Sequence, residues 1–122
     1  MANQYLLVDF ENVQPANLGA LKKGEWKVIL FVGKSQTRID LELATQLHAF
    51  GDSARYIQMA GSGKNALDFH VAFYLGQLSA KEPGAQFRIL SKDTGFDPLI
   101  AHMKALGIQC ERVTTISGAG IR

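Results

Sequence analysis

Five short apolar runs separated by segments of helical period constrain this chain more than any other feature. The runs are Tyr5-Leu6-Leu7-Val8, Trp26 to Val32, a weakly alternating stretch from Ser53 to Met59, Phe87-Arg88-Ile89-Leu90, and Gln109 to Val113. Near-continuous apolar runs bounded by Gly and polar residues suit strands buried on both faces. The Ser53 to Met59 stretch reads as an edge strand. Between the runs, Ile39, Leu43, Leu47 and Phe50 recur at helical spacing and stop at Gly51. Leu67, Val71, Tyr74, Leu75 and Leu78 do the same before Lys81-Glu82-Pro83-Gly84, and Leu99, Ile100, Met103 and Leu106 before Gly107. A short helix is expected after Pro15, through Leu18 and Leu21. Alternating strands and helices specify an α/β fold, a three-layer sandwich around a mostly parallel five-stranded sheet.

Length and composition agree with one such unit. The chain has 122 residues, 47% hydrophobic and 20% charged, enough for a single core. We expect one domain over residues 1–116 and a flexible tail or start of a linker over 117–122, where Ser117-Gly118-Ala119-Gly120 is linker-like. No apolar run approaches the ~20 residues of a membrane span. The N-terminal residues lack the basic and apolar stretches of a secretory signal. One cysteine, Cys110, forms no internal disulfide, which suits a cytoplasmic protein. The net charge of +2 identifies no partner by itself, so the positions of the charges must.

In a parallel sheet the strand ends and helix starts share the carboxyl edge, where ligands bind. Asp9 ends the first run and Glu11 and Asn12 follow. Asp68 lies in the first turn of the central helix. Asp93 follows the fourth run and Asp97 opens the next helix. Five of eleven carboxylates thus belong to one rim. A switch point between strands one and four would make Asp9 and Asp93 neighbours, with Asp68 and Asp97 close by. Such clustering is costly where water is scarce and must be offset by protons or by a hard cation. Oxygen-only donors suit magnesium or manganese, and a single cysteine with three scattered histidines offers no zinc spacing.

Each residue also has a structural reading. Asp97 before Pro98 has the form of a helix N-cap, alone or combined with metal binding. Asp68 could favour the positive end of its helix, yet its spacing to Val71 and Leu75 places it on the core side. A carboxylate such as Asp9 closing an apolar strand has no ready surface explanation. Glu11 faces either this rim or the other side. Asp40, three after Thr37, reads as helix-start chemistry. His48, His70 and His102 read as packed or surface histidines, and Cys110 as a small core residue.

Two Gly-Lys pairs fail as triphosphate loops. The glycine required five places before Gly33 is Val28, and before Gly63 it is Gln58. Lys34, Arg38, Lys64 and Lys92 nevertheless belong on the carboxyl rim. Basic groups around an acidic centre favour a polyanionic substrate. Phe10 and Phe96 lie near the rim, for base stacking or, more in keeping with their runs, core packing.

Three segments carry a resemblance. Leu6-Leu7-Val8-Asp9-Phe10-Glu11-Asn12 resembles the D-x-E-N or D-x-x-N opening of PIN-like nuclease domains close to the NYN branch. Lys64-Asn65-Ala66-Leu67-Asp68 is similar to their K-x-x-x-D step into the central helix. Ile89 to Ile100 resembles their S-x-D-x-D-F-x-x-L stretch, with Gly95 where the second aspartate usually stands and Asp97 after Phe96. The resemblance spans Tyr5 to Val113. It implies sheet order 3-2-1-4-5 and a magnesium- or manganese-dependent endoribonuclease that hydrolyses RNA phosphodiesters.

On that basis Asp9, Asp68 and Asp93 hold the cation, with Asp97 directly or through water. Asn12 orients a water or a phosphate oxygen. Lys34, Lys64, Lys92 and Arg38 position the backbone of RNA, expected to be single-stranded. The alternative is a catalytically weak or inactive module that binds RNA or a protein partner, which Gly95 favours. Room remains for a homo-oligomer or an additional C-terminal region. A phosphorelay receiver is disfavoured, because Ile57-Gln58-Met59-Ala60 offers no aspartate after the third strand.

Overall fold

The computed structural model describes residues 3–21, 24–61, 63 and 65–116. Five strands are present: β1 (Gln4–Asp9), β2 (Trp26–Val32), β3 (Ala54–Gln58), β4 (Gln86–Leu90) and β5 (Gln109–Val113). Three α-helices connect them: α1 (Leu41–His48), α2 (Ala66–Lys81) and α3 (Asp97–Ala105). The strands form one sheet of order β3-β2-β1-β4-β5, and every neighbouring pair is parallel. The chain builds outward from β1 through β2 to β3, then crosses back to place β4 on the other side of β1. The switch point between β1 and β4 opens a crevice at the carboxyl edge.

Both faces of the sheet are covered, which explains the unbroken apolar runs. Tyr5, Leu7, Ile29, Phe31, Phe87 and Ile89 face Leu67, Val71, Leu75 and Leu78 of α2 and Ile100 and Met103 of α3. Leu6, Val8, Val28 and Leu30 face Leu43 and Leu47 of α1, with Leu18 and Leu21. The edge strand β3 is the least buried.

Packing fixes α2 more than its terminus does. Its N-cap residue Asn65 is left-handed, at φ 68°, and makes no side-chain cap bond. A cap is worth ~1 kcal/mol. Truncating one fully buried leucine such as Leu75 costs roughly 2–5 kcal/mol.

Several local expectations are corrected. The segment after Pro15 forms only a 3-10 turn, Leu18–Ala20. Ile39 precedes α1 and Phe50 follows it, because Asp40 caps the helix by accepting from the Leu43 N–H at 3.3 Å. Asp97 is not an N-cap: Phe96 holds that position, the helix begins at Asp97 itself, and no side chain caps it. The preceding 3-10 turn Thr94–Phe96 already supplies helical geometry, and Asp93 caps that turn instead. Phe10 and Phe96 are core residues, 3% and 2% exposed. The expected 117–122 tail lies outside the described residues.

Candidate active site at the carboxyl edge

Asp9 is the last residue of β1 and is only 4% exposed. The strand delivers it to the rim, and the chain turns at once, with the Asn12 and Val13 N–H groups donating to the Asp9 carbonyl at 3.0 and 2.9 Å. A buried carboxylate needs donors. Ser91, fully buried just beyond β4, donates from Oγ to Asp9 Oδ2 at 2.8 Å. Ser91 Oγ in turn accepts from the Asp93 N–H at 3.0 Å. Burial raises the Asp9 pKa most; the Ser91 and Asn12 hydrogen bonds oppose this, and the charges of Glu11 and Asp93 add to it.

Asp68 enters from the first turn of α2 and Asp93 from the loop after β4. Asp9, Glu11, Asn12, Asn65, Asp68 and Asp93 line one concavity of about 210 Å³. Burial raises the Asp68 pKa, and the charges of Asp93, Asp9 and Glu11 raise it further. Glu11 reaches this rim by crossing Gly33 at the end of β2, where a Cβ would collide with its carboxylate. Asp93 Oδ1 accepts from the Gly95 N–H at 2.8 Å, and a Cβ on Gly95 would lie 2.9 Å from that oxygen.

The structure does not bring Asp97 to this group. Arg112 of β5 claims it, with Nε donating to Oδ1 at 2.8 Å and Nη2 to Oδ2 at 3.3 Å. That hydrogen bonding lowers the Asp97 pKa. Asn12 lines the concavity, but its Oδ1 accepts from the Lys92 N–H at 2.6 Å and so ties the β1 and β4 loops together. Lys34 and Lys92 are exposed beside the ends of β2 and β4. Arg38 is exposed farther along the β2–α1 connection, beside a separate groove with Phe10 and Tyr56. Lys64 lies outside the described residues.

None of the three histidines lines the acidic concavity. His70 Nδ1 lies 2.8 Å from the Ala66 carbonyl on its own helix. Cys110 is fully buried, and burial pushes its thiol up to about 12.

Two residues of this edge, Ser91 and Arg112, take their roles from partners distant in sequence. Ser91 had one signal, its place just past an apolar strand and two before Asp93. Arg112 carried none, since its partner is set by the packing of α3 beside β5.

The alignment of the chain with known families decides what this edge belongs to. A model of the PIN domain matches residues 3–113. This chain belongs to the PIN domain family. Searches of curated proteins and of solved structures returned no match. PIN domains are typically metal-dependent nucleases and act on nucleic acid. The five-stranded parallel order observed here is consistent with the PIN fold.

The donor chemistry of this PIN domain suits the divalent ion its family typically uses. Every polar side chain lining the concavity offers oxygen, which matches magnesium or manganese. Burial and mutual repulsion make the ionised carboxylates costly, and a cation relieves both. Among the described residues no three His, Cys, Asp or Glu side chains are gathered as a ready cage, so the ligands must be completed by side-chain adjustment or by water. No helix of the PIN domain, among the described residues, is long and apolar enough to cross a membrane.

Proposed function

We propose that this PIN domain is a magnesium- or manganese-dependent endoribonuclease of the NYN-like branch, hydrolysing phosphodiester bonds of single-stranded RNA in the cytoplasm. The observation that carries this reading is Asp9, a carboxylate buried at the end of β1 and raised in pKa chiefly by that burial, with the charges of Glu11 and Asp93 adding to it, beside Asp68, which feels its charge. Burial and the neighbouring charges make the ionised form of Asp9 costly, and the Ser91 hydrogen bond offsets only part of that. Asp9, Asp68 and Asp93 would hold the cation. When bound, the ion supplies Lewis-acid polarisation of a phosphate oxygen and a water of lowered pKa.

The chain's own residues do the remaining work in this reading. Ser91 orients Asp9 and fixes the Asp93 backbone; buried between them, it holds carboxylates rather than attacking phosphorus. Asn12 positions the Lys92 loop. Lys34, Lys92, Lys64 and Arg38 neutralise and place the RNA backbone, which fixes register without reading sequence. Asp97 serves the α3–β5 contact through Arg112.

Two observations favour a second reading, a module that binds RNA or a protein partner without cutting. Gly95 supplies no carboxylate, and Asp93 is turned to the Gly95 N–H. The readings separate in one assay. Labelled single-stranded RNA is incubated with the wild type in manganese, in chelator, and with Asp9→Asn. Manganese-dependent cleavage lost on the order of a hundredfold in Asp9→Asn supports hydrolysis at this site. Tight binding with no cleavage in any condition supports the binding module.

A further inference from the structure

The sheet has a second opening at its carboxyl edge, on the α1 side. The parallel register sets Tyr56 beside Leu30 and Gln58 beside Val32. The Phe10 N–H donates to the Phe31 carbonyl at 3.1 Å and carries β1 past its last strand residue beside β2. The β2–α1 connection is tied to the same corner: Gln58 Nε2 donates to the Gln36 carbonyl at 2.9 Å, with the Gly33 and Lys34 carbonyls at 3.4 Å. A groove of about 400 Å³ lies here, with Phe10, Leu30 and Val32 as its apolar lining.

Three polar groups of this groove lack partners. Tyr56 is 51% exposed. Among the described residues its ring meets no other ring or cation, and its hydroxyl makes no hydrogen bond. The ion pairs among the described residues are Arg88–Glu111 and Arg112–Asp97, so the exposed Arg38 guanidinium has no carboxylate. The carbonyls around Gln58 Nε2 fix the orientation of its amide and leave Oε1 an acceptor without a donor. A ring for stacking, a cation for phosphate and an acceptor for a base N–H are the groups that recognise a nucleotide of a single strand. An aliphatic ligand would leave Arg38 and the Gln58 acceptor unpaired. An inorganic anion would leave the ring and the apolar lining unused.

The groove adjoins the acidic concavity. Asp9 lines the concavity, and Phe10, next in the chain, lines the groove. Gln36 spans the wall between them: its Oε1 accepts from the Gly33 N–H at 2.8 Å and its Nε2 donates to the Phe10 carbonyl at 3.2 Å. Gly33 is also where Glu11 crosses to the concavity. A strand with one phosphate at the concavity therefore brings a neighbouring nucleotide to the groove.

We propose that this groove is a subsite for one unpaired nucleobase of the RNA, stacked on Tyr56, with Arg38 on the phosphate of that nucleotide and Gln58 Oε1 accepting from a base N–H. The subsite rests on the reading of this edge as an RNA nuclease, and it gives the choice of single strands a physical cause. All four bases carry an N–H donor on their pairing edge, so the groove selects an unpaired base rather than a sequence. In a duplex that edge is already taken and the base face is stacked.

Fluorescence anisotropy of the full chain with a labelled single-stranded RNA, in chelator so that no strand is cut, tests the subsite. Tyr56→Ala should weaken binding roughly five- to a hundredfold with an unchanged circular dichroism spectrum, and Tyr56→Phe should keep it. Neither the same RNA in a duplex nor a strand of abasic residues should distinguish the wild type from Tyr56→Ala. Equal affinity of the wild type and Tyr56→Ala for the single strand, or an equal loss on the duplex or the abasic strand, would overturn the subsite. So would adenosine monophosphate binding as tightly as the strand, which would make the groove a site for a free nucleotide. Cleavage by the wild type in manganese separates the two readings. With cleavage present, a Tyr56→Ala variant that binds undiminished removes the groove alone, whereas a wild type that binds no RNA removes both.

Discussion

Ser91 Oγ donates to Asp9 Oδ2 at 2.8 Å, joining the ends of β4 and β1 at the switch point of the sheet. The hydroxyl also accepts from the Asp93 N–H. Removing it leaves a buried carboxylate short of one donor and a backbone N–H without its acceptor. Ser91→Ala should therefore cost roughly 1–3 kcal/mol in urea unfolding. It should also raise the Asp9 pKa further, because the lost hydrogen bond favoured the ionised form. A carboxyl-carbon NMR titration reads that second effect, and an unchanged titration would remove Ser91 from the role of orienting Asp9.

Asp9 and Asp68 both titrate above the ordinary value of 3.8, chiefly through burial. The folded metal-free chain thus binds these protons more tightly than the unfolded one. Their contribution to stability is fully present below pH 3.8 and is lost as pH rises through the raised folded values. Asp9→Asn or Asp68→Asn should raise the melting temperature at neutral pH in chelator, and the advantage should vanish at acid pH. Melts across the acid-to-neutral range check this; a gain that persists below pH 3.8 would point to packing rather than charge.

Much of this architecture was legible because it rests on local pattern. Runs such as Leu6-Leu7-Val8 and Val28 to Phe31 are apolar on both faces, which only a covered parallel sheet accommodates. Asp9 stood out as a charge where the run ends. Asp97 shows where local grammar fails. Asp-Pro reads as a cap, yet the turn at Thr94–Phe96 starts the helical geometry earlier, and a partner 15 residues away on β5 takes the carboxylate. Ser91 is visible in sequence only as the opening of the S-x-D stretch; its bond to Asp9, 82 positions away, is not. Phe69 and Phe73 fit a helix in sequence, and only the placement of α2 shows that they face outward.

Asp97 gives the sharpest separation of neighbours in sequence. Its carboxylate serves Arg112 at the surface, and exposed pairs contribute little to stability. Asp97→Asn should melt close to the wild type and leave the manganese dependence of RNA cleavage superimposable. A rightward shift of that titration would bring Asp97 back to the cation.

The exposed lysines at the strand ends should act through charge alone. Lys34→Ala and Lys92→Ala should each weaken RNA binding irrespective of sequence. Each should lower the slope of log affinity against log salt by about one. Fluorescence anisotropy at several salt concentrations measures the slope. Unchanged slopes in both variants would put the RNA on another face.

In the proposed reading Asp9, Asp68 and Asp93 together hold a divalent ion. Manganese binding measured by calorimetry, with thermal melts in parallel, tests it without reference to cleavage. At a hundredfold excess over its dissociation constant, manganese should stabilise the wild type by about 2.7 kcal/mol. Asp9→Asn, Asp68→Asn and Asp93→Asn should each lose most of that gain, while Asp97→Asn keeps it. Equal stabilisation of the wild type and the three site variants would place the ion elsewhere.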